Sequence, residues 1–140
     1  MATYNKFEGF VGYLGLAVIN CNTDTFKVYL SNATPSASAD DVKTDLAEIS
    51  AGNGYTAGGE DTSNTYSETG GTGTCLGVDV TWTASGSVGP FRYVVLYDDT
   101  VSSPVTDPLI AWWDYGSSIT LASGETFTVD FQSNTLFTIA

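Results

Sequence analysis

Acidic side chains are the residues of this chain whose type is suited to acid–base chemistry. The sequence holds 16 Asp and Glu residues against 4 Lys and Arg, and it contains no histidine. The absence of histidine excludes Ser-His-Asp and Cys-His nucleophilic machinery and histidine metal sites. A pair of carboxylates could still hydrolyse a glycosidic bond. Because most candidates fall at predicted turns, where Asp hydrogen-bonds the backbone, we expect no catalytic residues and no enzyme. The candidates are Glu60, Asp61, Glu68, Asp79, Asp98, Asp99, Asp107 and Asp114.

Metal chemistry has little support in the spacing of these residues. Asp98, Asp99 and Asp107 flank one loop and could offer oxygen ligands to Ca²⁺. They lack the alternating spacing of a calcium-binding loop, so turn formation is the preferred interpretation. Cys21 and Cys75 fit no metal-binding spacing. We therefore expect buried free thiols, no metal and no cofactor.

The charge balance narrows the range of partners. Net charge is −12, and the basic residues Lys6, Lys27, Lys43 and Arg92 form no cluster. Nucleic acids and anionic membranes are therefore unexpected partners, since both are bound through basic side chains. An acidic surface keeps copies apart until a specific surface captures them. A solvated surface without any partner is an equally good interpretation.

Two apolar runs, residues 91–97 and 109–115, form the centre of the predicted fold. Both faces of the first run are apolar or aromatic, which is typical of a central strand covered on both sides. Alternation predicts that Phe91 and Tyr93 share a face. The two runs are predicted to form a long hairpin with a wide loop.

Further strands are predicted around this hairpin. Residues 74–83 read as one strand with Leu76, Val78, Val80 and Trp82 facing inward. The seven or eight predicted strands indicate an all-β fold, an antiparallel β-sandwich or barrel of jelly-roll or Ig-like type, over residues 23–140. The other predicted strands are 25–31, 65–68 and 136–139, with a second hairpin formed by 117–121 and 126–131.

Residues 1–22 are predicted to form a short helix or an extended arm ahead of this β-domain. Tyr4, Phe7, Phe10, Leu14 and Val18 follow helical spacing, although three interspersed glycines weaken the pattern.

Two loops also have local signatures. A helical turn is predicted within residues 41–49, with Asp40 or Asp41 as its N-cap. The glycine-rich segment 52–59 is predicted to need positive φ angles.

The adjacent tryptophans Trp112 and Trp113 must point to opposite faces of their strand. One ring is expected in the core, and the other is either covered or exposed. An exposed Trp would be a platform for a sugar or an anchor for a protein interface. Arg92 is expected to pair with Asp114 or Asp79.

Four blocks of the chain resemble a family of small structural proteins of tailed bacteriophages. The blocks are YNKFEGFVG, DTFKVYLSNATPS, DLAEISAGNGYTAGG and WTASGSVGPFRYVVLYDD…DPLIAWWDYGSSITLASGETFTVDF. The resemblance covers nearly the whole chain except residues 60–73. It implies a capsid decoration or cement protein, made in the host cytoplasm and bound to the outer surface of the expanded head. Its partner would be the major capsid protein, commonly with a homotrimer at local three-fold positions.

The expected capsid or subunit contacts are apolar or loop residues outside the predicted sheets, together with one tryptophan. An internal packing role for the same residues is equally compatible with the sequence. The alternatives to decoration are a tail or head-completion protein, or a carbohydrate-binding adhesin module. The predicted contact residues are Tyr4, Phe7, Phe10, Asn53, Tyr55 and Trp112.

Overall fold

The long hairpin of the two apolar runs is the centre of a five-stranded antiparallel sheet. A computed structural model describes residues 2–140. It contains one α-helix, α1 (Glu8–Gly15), and 3-10 turns at Lys43–Asp45 and Gln132–Asn134. The strands in chain order are β1 (Tyr4–Lys6), β2 (Phe26–Ser31), β3 (Glu60–Asp61), β4 (Thr65–Thr69), β5 (Thr72–Leu76), β6 (Val80–Thr83), β7 (Val88–Asp98), β8 (Leu109–Leu121), β9 (Thr126–Val129) and β10 (Thr135–Ile139).

The strands form two layers. The main sheet has the order β1-β8-β7-β2-β3, and all of its pairs are antiparallel. Two smaller antiparallel sheets, β10-β5-β4 and β6-β9, supply the second layer. The fold is all-β, with the antiparallel sandwich or barrel architecture that the strand pattern predicted.

The main sheet is covered on both faces, as expected for an apolar central hairpin. Val94 and Leu96 belong to the larger core cluster, whereas Tyr93, Val95 and Tyr97 belong to a smaller one. Phe91, predicted to share the face of Tyr93, instead lies in the larger cluster. The β7–β8 register shifts between Phe91 and Tyr93. Between these two positions β7 advances by two residues and β8 by five, from Ile119 to Asp114. Regular alternation does not continue across such an irregularity.

The single strand predicted over residues 74–83 is wrong, because the chain changes sheet between Leu76 and Val80. Leu76 and Val78, predicted to face inward, are 36% and 51% exposed. The Gly77 N–H donates to the Asn134 carbonyl at 2.8 Å, outside any strand ladder. Val80 and Trp82 do face the core, as predicted.

The predicted second hairpin also has different partners. Residues 117–121 continue β8 and pair with β7, while β9 pairs with β6. Trp82 lies opposite Phe127 in that register, and their rings stack with centroids 6.4 Å apart. Packing of this aromatic pair stabilises the pairing of β9 with β6, and the polar end of β8 offers no comparable contact.

The N-terminal segment joins both core clusters. Residues 4–6, predicted within a helix or arm, are a strand of the main sheet that pairs with residues 111–113. The helix begins only at Glu8 and ends at Gly15, so Val18 lies outside it. Phe7 is buried in the smaller cluster and Phe10 in the larger one. The helical spacing in the sequence therefore arises because Phe7 and Phe10 are buried in core clusters on the two faces of the main sheet.

The two predicted loop features are present. The helical turn is the 3-10 turn at Lys43–Asp45, but its cap is not Asp40 or Asp41. The Asp45 carboxylate accepts from the backbone N–H groups of Asp41 and Val42, at 2.9 and 3.0 Å. All four glycines of residues 52–59 have positive φ. At Gly59 a Cβ would also meet the Val28 carbonyl oxygen, so only glycine fits there.

Candidate functional site

An open groove of about 550 Å³ lies between the β1–β8 edge of the main sheet and strands β9 and β10. Its size is within the roughly 300–1,000 Å³ typical of small-ligand sites. The floor is apolar, because Val94, Val129 and Leu136 of the core reach it. The aromatic side chains that line this aromatic groove are Tyr4, Trp113, Tyr115, Phe127, Phe131 and Phe137.

The two-residue period of a β-strand explains which aromatic rings face the groove. Trp113 and Tyr115 are two residues apart on β8 and therefore share a face. Trp113 lies edge-to-face against Phe131, with centroids 5.5 Å apart, and Tyr115 lies so against Phe127, at 5.7 Å. Tyr115 is nonetheless 54% exposed. The groove therefore presents aromatic surface to solvent on rings held in place by their neighbours.

The second exposed ring comes from the N-terminal strand. Because β1 is in register with β8, Tyr4 lies opposite Trp113, and their ring centroids are 5.9 Å apart. Partial burial, with a smaller effect of Cys75, raises the pKa of Tyr4 to about 12. The phenol therefore stays neutral at ordinary pH and can both donate and accept a hydrogen bond.

Polar side chains form the rim of the groove on the β9 and β10 side. Thr128, Asp130 and Gln132 are exposed, and Thr135 is half-buried. Among the described residues that line the groove, none is Lys or Arg. The rim thus offers a carboxylate, an amide and hydroxyls, without a positive charge to attract an anion.

A second cluster, at the β2–β7 side of the main sheet, combines charge with tyrosine. We call Lys43, Glu48, Tyr29, Tyr55 and Tyr97 the Lys43 cluster. Lys43 and Glu48 form an ion pair at 2.7 Å with side chains only 19% and 15% exposed. The Lys43 ammonium also lies 4.8 Å from the Tyr29 ring centroid and 5.6 Å from that of Tyr97, within cation–π range.

Hydrogen bonds connect this cluster to the glycine-rich loop. Glu48 Oε1 accepts from the Tyr55 hydroxyl and from the Gly58 N–H, both at 2.7 Å. The Tyr55 hydroxyl accepts from the Leu30 N–H at 3.0 Å, and the Tyr97 hydroxyl donates to the Gly58 carbonyl at 2.7 Å. Burial is the main cause that raises the pKa of both tyrosines. The cluster therefore anchors the loop to the sheet.

Asp98, at the end of β7, is a fully buried carboxylic acid. Its Oδ1 accepts from the Thr100 N–H at 2.9 Å, but within residues 2–140 its Oδ2 has no hydrogen-bond donor. The Asp24 carboxyl lies within hydrogen-bonding reach of it. Burial, reinforced by Asp24, raises the pKa of Asp98 to about 7. The two acids are therefore suited to share one proton.

Asp79, Asp99 and Asp114, three of the other candidate carboxylates, have structural partners. Asp114 accepts two hydrogen bonds from the Arg92 guanidinium, at 2.8 and 3.0 Å, which confirms the predicted pairing. Asp99 pairs with Lys27 at 2.9 Å, and Asp79 accepts from the Phe131 N–H at the same distance. Within residues 2–140, no three or more His, Cys, Asp and Glu side chains meet in a cluster suited to a metal ion.

The predicted contact residues fall into two groups. Phe7, Phe10 and Tyr55 are at most 2% exposed, so they present almost no surface in this fold. Tyr4 lies on the aromatic groove, and Asn53 is exposed, with its side-chain amide donating to the Ser87 carbonyl at 2.9 Å.

The two tryptophans lie on opposite faces of β8, as predicted, and both are half-buried. Trp112 packs on Phe7 of the smaller core cluster at 4.6 Å, whereas Trp113 belongs beside the larger one. Cys21 and Cys75 are buried free thiols in that larger cluster. Burial is the main cause that raises the pKa of Cys75 to about 12, so this thiol is not a reactive thiolate.

Sequence reasoning missed two features that the fold assembles. Lys43 and Glu48 gave only a weak signal, a cation and an anion five residues apart beside a helical turn. Tyr115, Phe127 and Phe131 were visible as aromatic residues on predicted strands, but nothing local indicated that they meet.

Comparisons with family models, with curated proteins and with solved structures found no match to this chain. Within residues 2–140, no helix has the length and apolar character needed to span a bilayer.

Proposed function

We propose that the chain is a bacteriophage virion structural protein, a capsid decoration protein that binds the outer surface of the expanded head. The observation that carries this proposal is the resemblance of four sequence blocks to small structural proteins of tailed phages. Those blocks include β1, the first part of α1, β2, β7 and β8, which build most of the main sheet and its N-terminal cover. The part outside the resemblance, residues 60–73, forms β3 and β4 at sheet edges, where sequence is least constrained by packing.

The physical mechanism of such a protein is thermodynamic linkage between its binding and the expansion of the capsid. A ligand that binds the expanded shell but not its precursor stabilises the expanded state by its differential affinity. Many copies on symmetric sites add their effects, and a trimer would gain further through avidity. The net charge of −12 suits this role, because it keeps unbound copies apart in solution.

The contact residues that we propose from the structure are exposed. Phe7, Phe10 and Tyr55, which the sequence predicted as contacts, are buried. Val11 on α1 is 53% exposed, and Leu16 at the end of the helix is 75% exposed. Exposed apolar side chains of this size are candidates for a protein interface. With exposed Asn53 in the glycine-rich loop, these two side chains are the residues that we assign to the capsid contact.

The test is binding to expanded capsids that lack the protein. We expect cosedimentation with the expanded heads at high, symmetric copy number, and no binding to unexpanded precursors. Light scattering of the purified protein would give the mass of the free state, a trimer or a monomer. A low, fixed copy number would replace decoration by a tail or head-completion role. Absence from every virion part would refute the whole proposal.

A matched pair of variants locates the surface. Val11→Asp combined with Leu16→Asp should weaken capsid binding by roughly tenfold or more, since each charge enters an apolar contact. Val78→Asp is the control for the single change Val11→Asp, because Val78 is equally exposed, at 51% against 53%, but follows β5 instead of lying in α1. Equal loss of binding in both variants would show that α1 is not the contact.

A further inference from the structure

The aromatic groove is a binding site that the proposed capsid role leaves without a ligand. Capsid contact through α1 uses Val11 and Leu16, whereas the groove is formed by β1, β8, β9 and β10. We propose that this groove binds a short, neutral carbohydrate chain. The inference goes beyond the proposed function and stands on the groove's own geometry.

The exposed rings supply the apolar half of a sugar site. Tyr115 is 54% exposed and Tyr4 is 37% exposed. Half-buried Trp113 lies opposite Tyr4 in the register and two residues before Tyr115 on β8. Each ring is backed by another one, so little side-chain freedom is lost when a ligand stacks on it. A pyranose ring has apolar C–H faces, which pack on flat aromatic surfaces of this kind.

The rim supplies the polar half. A sugar hydroxyl both donates and accepts hydrogen bonds, so it needs acceptors and donors at the same edge. Asp130 offers a carboxylate and Gln132 an amide with both functions. The hydroxyls of Thr128 and Thr135 bond Thr81 and the Ser133 carbonyl, and each can take a further hydrogen bond. These side chains border the apolar floor on one side only, which would orient a sugar with its hydroxyls toward β9 and β10.

Charge selects among ligands of similar shape. No Lys or Arg belongs to the described groove lining, Asp130 does, and the whole chain has a net charge of −12. Phosphorylated, sulfated and uronic-acid ligands would meet repulsion without a compensating cation. A second copy of this equally acidic chain would meet the same repulsion. A neutral oligosaccharide matches both the aromatic walls and the absence of positive charge.

The experiment is a glycan array with the protein, followed by calorimetry with maltotriose, cellotriose and triacetylchitotriose. We expect binding to at least one neutral glycan and chemical-shift changes confined to the groove. Tyr115→Ala should lower the affinity roughly tenfold, as loss of one stacked ring would. Trp113→Phe should also weaken binding, whereas Trp112→Phe, the adjacent half-buried tryptophan on the other face, should not.

Several outcomes would overturn the proposal. They are the absence of binding to every neutral glycan, recognition of charged glycans alone, or an affinity that Tyr115→Ala leaves unchanged. A dimer that buries Tyr115 in light scattering and NMR would assign the groove to a subunit interface. None of these results bears on capsid binding, which is measured separately with the Val11 and Leu16 variants.

Discussion

The aromatic groove and the Lys43 cluster are both built from tyrosine and charge, but they use these groups differently. In the Lys43 cluster, Glu48 accepts three hydrogen bonds, and its partners come from the same chain. In the groove, Tyr115 is exposed and the rim carboxylate of Asp130 faces solvent. The first region holds the glycine-rich loop on the sheet. The second is left with aromatic surface and polar groups available to a ligand.

This difference teaches that chemical composition alone does not distinguish a structural cluster from a binding site. Lys43 lies over two tyrosine rings, an arrangement that also binds cationic ligands elsewhere. Here the cation is the protein's own, and the pair is largely covered. What separates the two regions is whether the carboxylate is already paired and covered, as Glu48 is, or exposed, as Asp130 is, which only the assembled fold reveals.

The largest expected effect is the loss of Glu48. Glu48→Ala leaves the Lys43 ammonium, the Tyr55 hydroxyl and the Gly58 N–H without their acceptor. Breaking a largely buried ion pair in this way should cost about 3 kcal/mol of unfolding free energy, measured by urea denaturation. Lys27→Ala is the control, since the Lys27–Asp99 pair is 30% and 35% exposed and should contribute less than about 1 kcal/mol. Similar losses in both variants would contradict the structural role of the cluster.

An effect of intermediate size on the unfolding free energy is expected at Asp98. Within residues 2–140, the Oδ2 atom of this buried carboxyl group has no hydrogen-bond partner. Its pKa of about 7 in the folded chain exceeds the unfolded value of about 3.9. Protonation therefore favours folding, and this contribution is complete below about pH 4 and is lost as the pH rises through about 7. The asparagine side chain of Asp98→Asn is uncharged at every pH. The unfolding free energy of this variant, relative to that of the wild type, should therefore rise by about 2 kcal/mol between about pH 5 and pH 8.

Asp114→Asn is the control for that pH series. Arg92 keeps the pKa of Asp114 below its usual value, so the Asp114 contribution is present at neutral pH and is lost on acidification, the opposite direction. Thermal unfolding at several pH values would separate the two variants. If the Asp98→Asn and wild-type curves run parallel, the proton shared with Asp24 plays no part in stability.

The smallest effect is expected in the groove itself. Tyr115→Ala removes a half-exposed ring whose main aromatic partner is Phe127. The free energy of unfolding should change by less than about 1 kcal/mol, because little buried surface is lost. Denaturation of this variant beside Glu48→Ala tests the comparison directly. A loss as large as that of Glu48→Ala would mean that Tyr115 is held for the fold and not for a ligand.

The parts of the fold that could be predicted from the sequence depend on local alternation. The β7–β8 hairpin, β2, the positive φ angles of residues 52–59 and the Arg92–Asp114 pair all follow from neighbouring residues or adjacent strands. The register shift after Phe91 and the change of sheet at Gly77 could not be predicted. Both depend on contacts with segments that are distant in the sequence.

The groove is the clearest limit of sequence reasoning here. Tyr4, Trp113, Phe127 and Phe137 come from β1, β8, β9 and β10, strands that pair in three different sheets. Alternation predicts which side of a strand a ring occupies, but not which other strand lies across from it. The prediction that Trp113 and Trp112 face opposite ways was therefore available, while the site beside Trp113 was not.

The pairing of β1 with β8 has a consequence for how the chain is made. Tyr4 is translated long before its register partner Trp113, which lies in β8. Phe7 and Phe10, buried in the finished molecule, have no complete core to enter until then. Contacts between segments so far apart in sequence slow folding. Strand β1 is thus translated before β8 but reaches its final place only when β8 is there to pair with it.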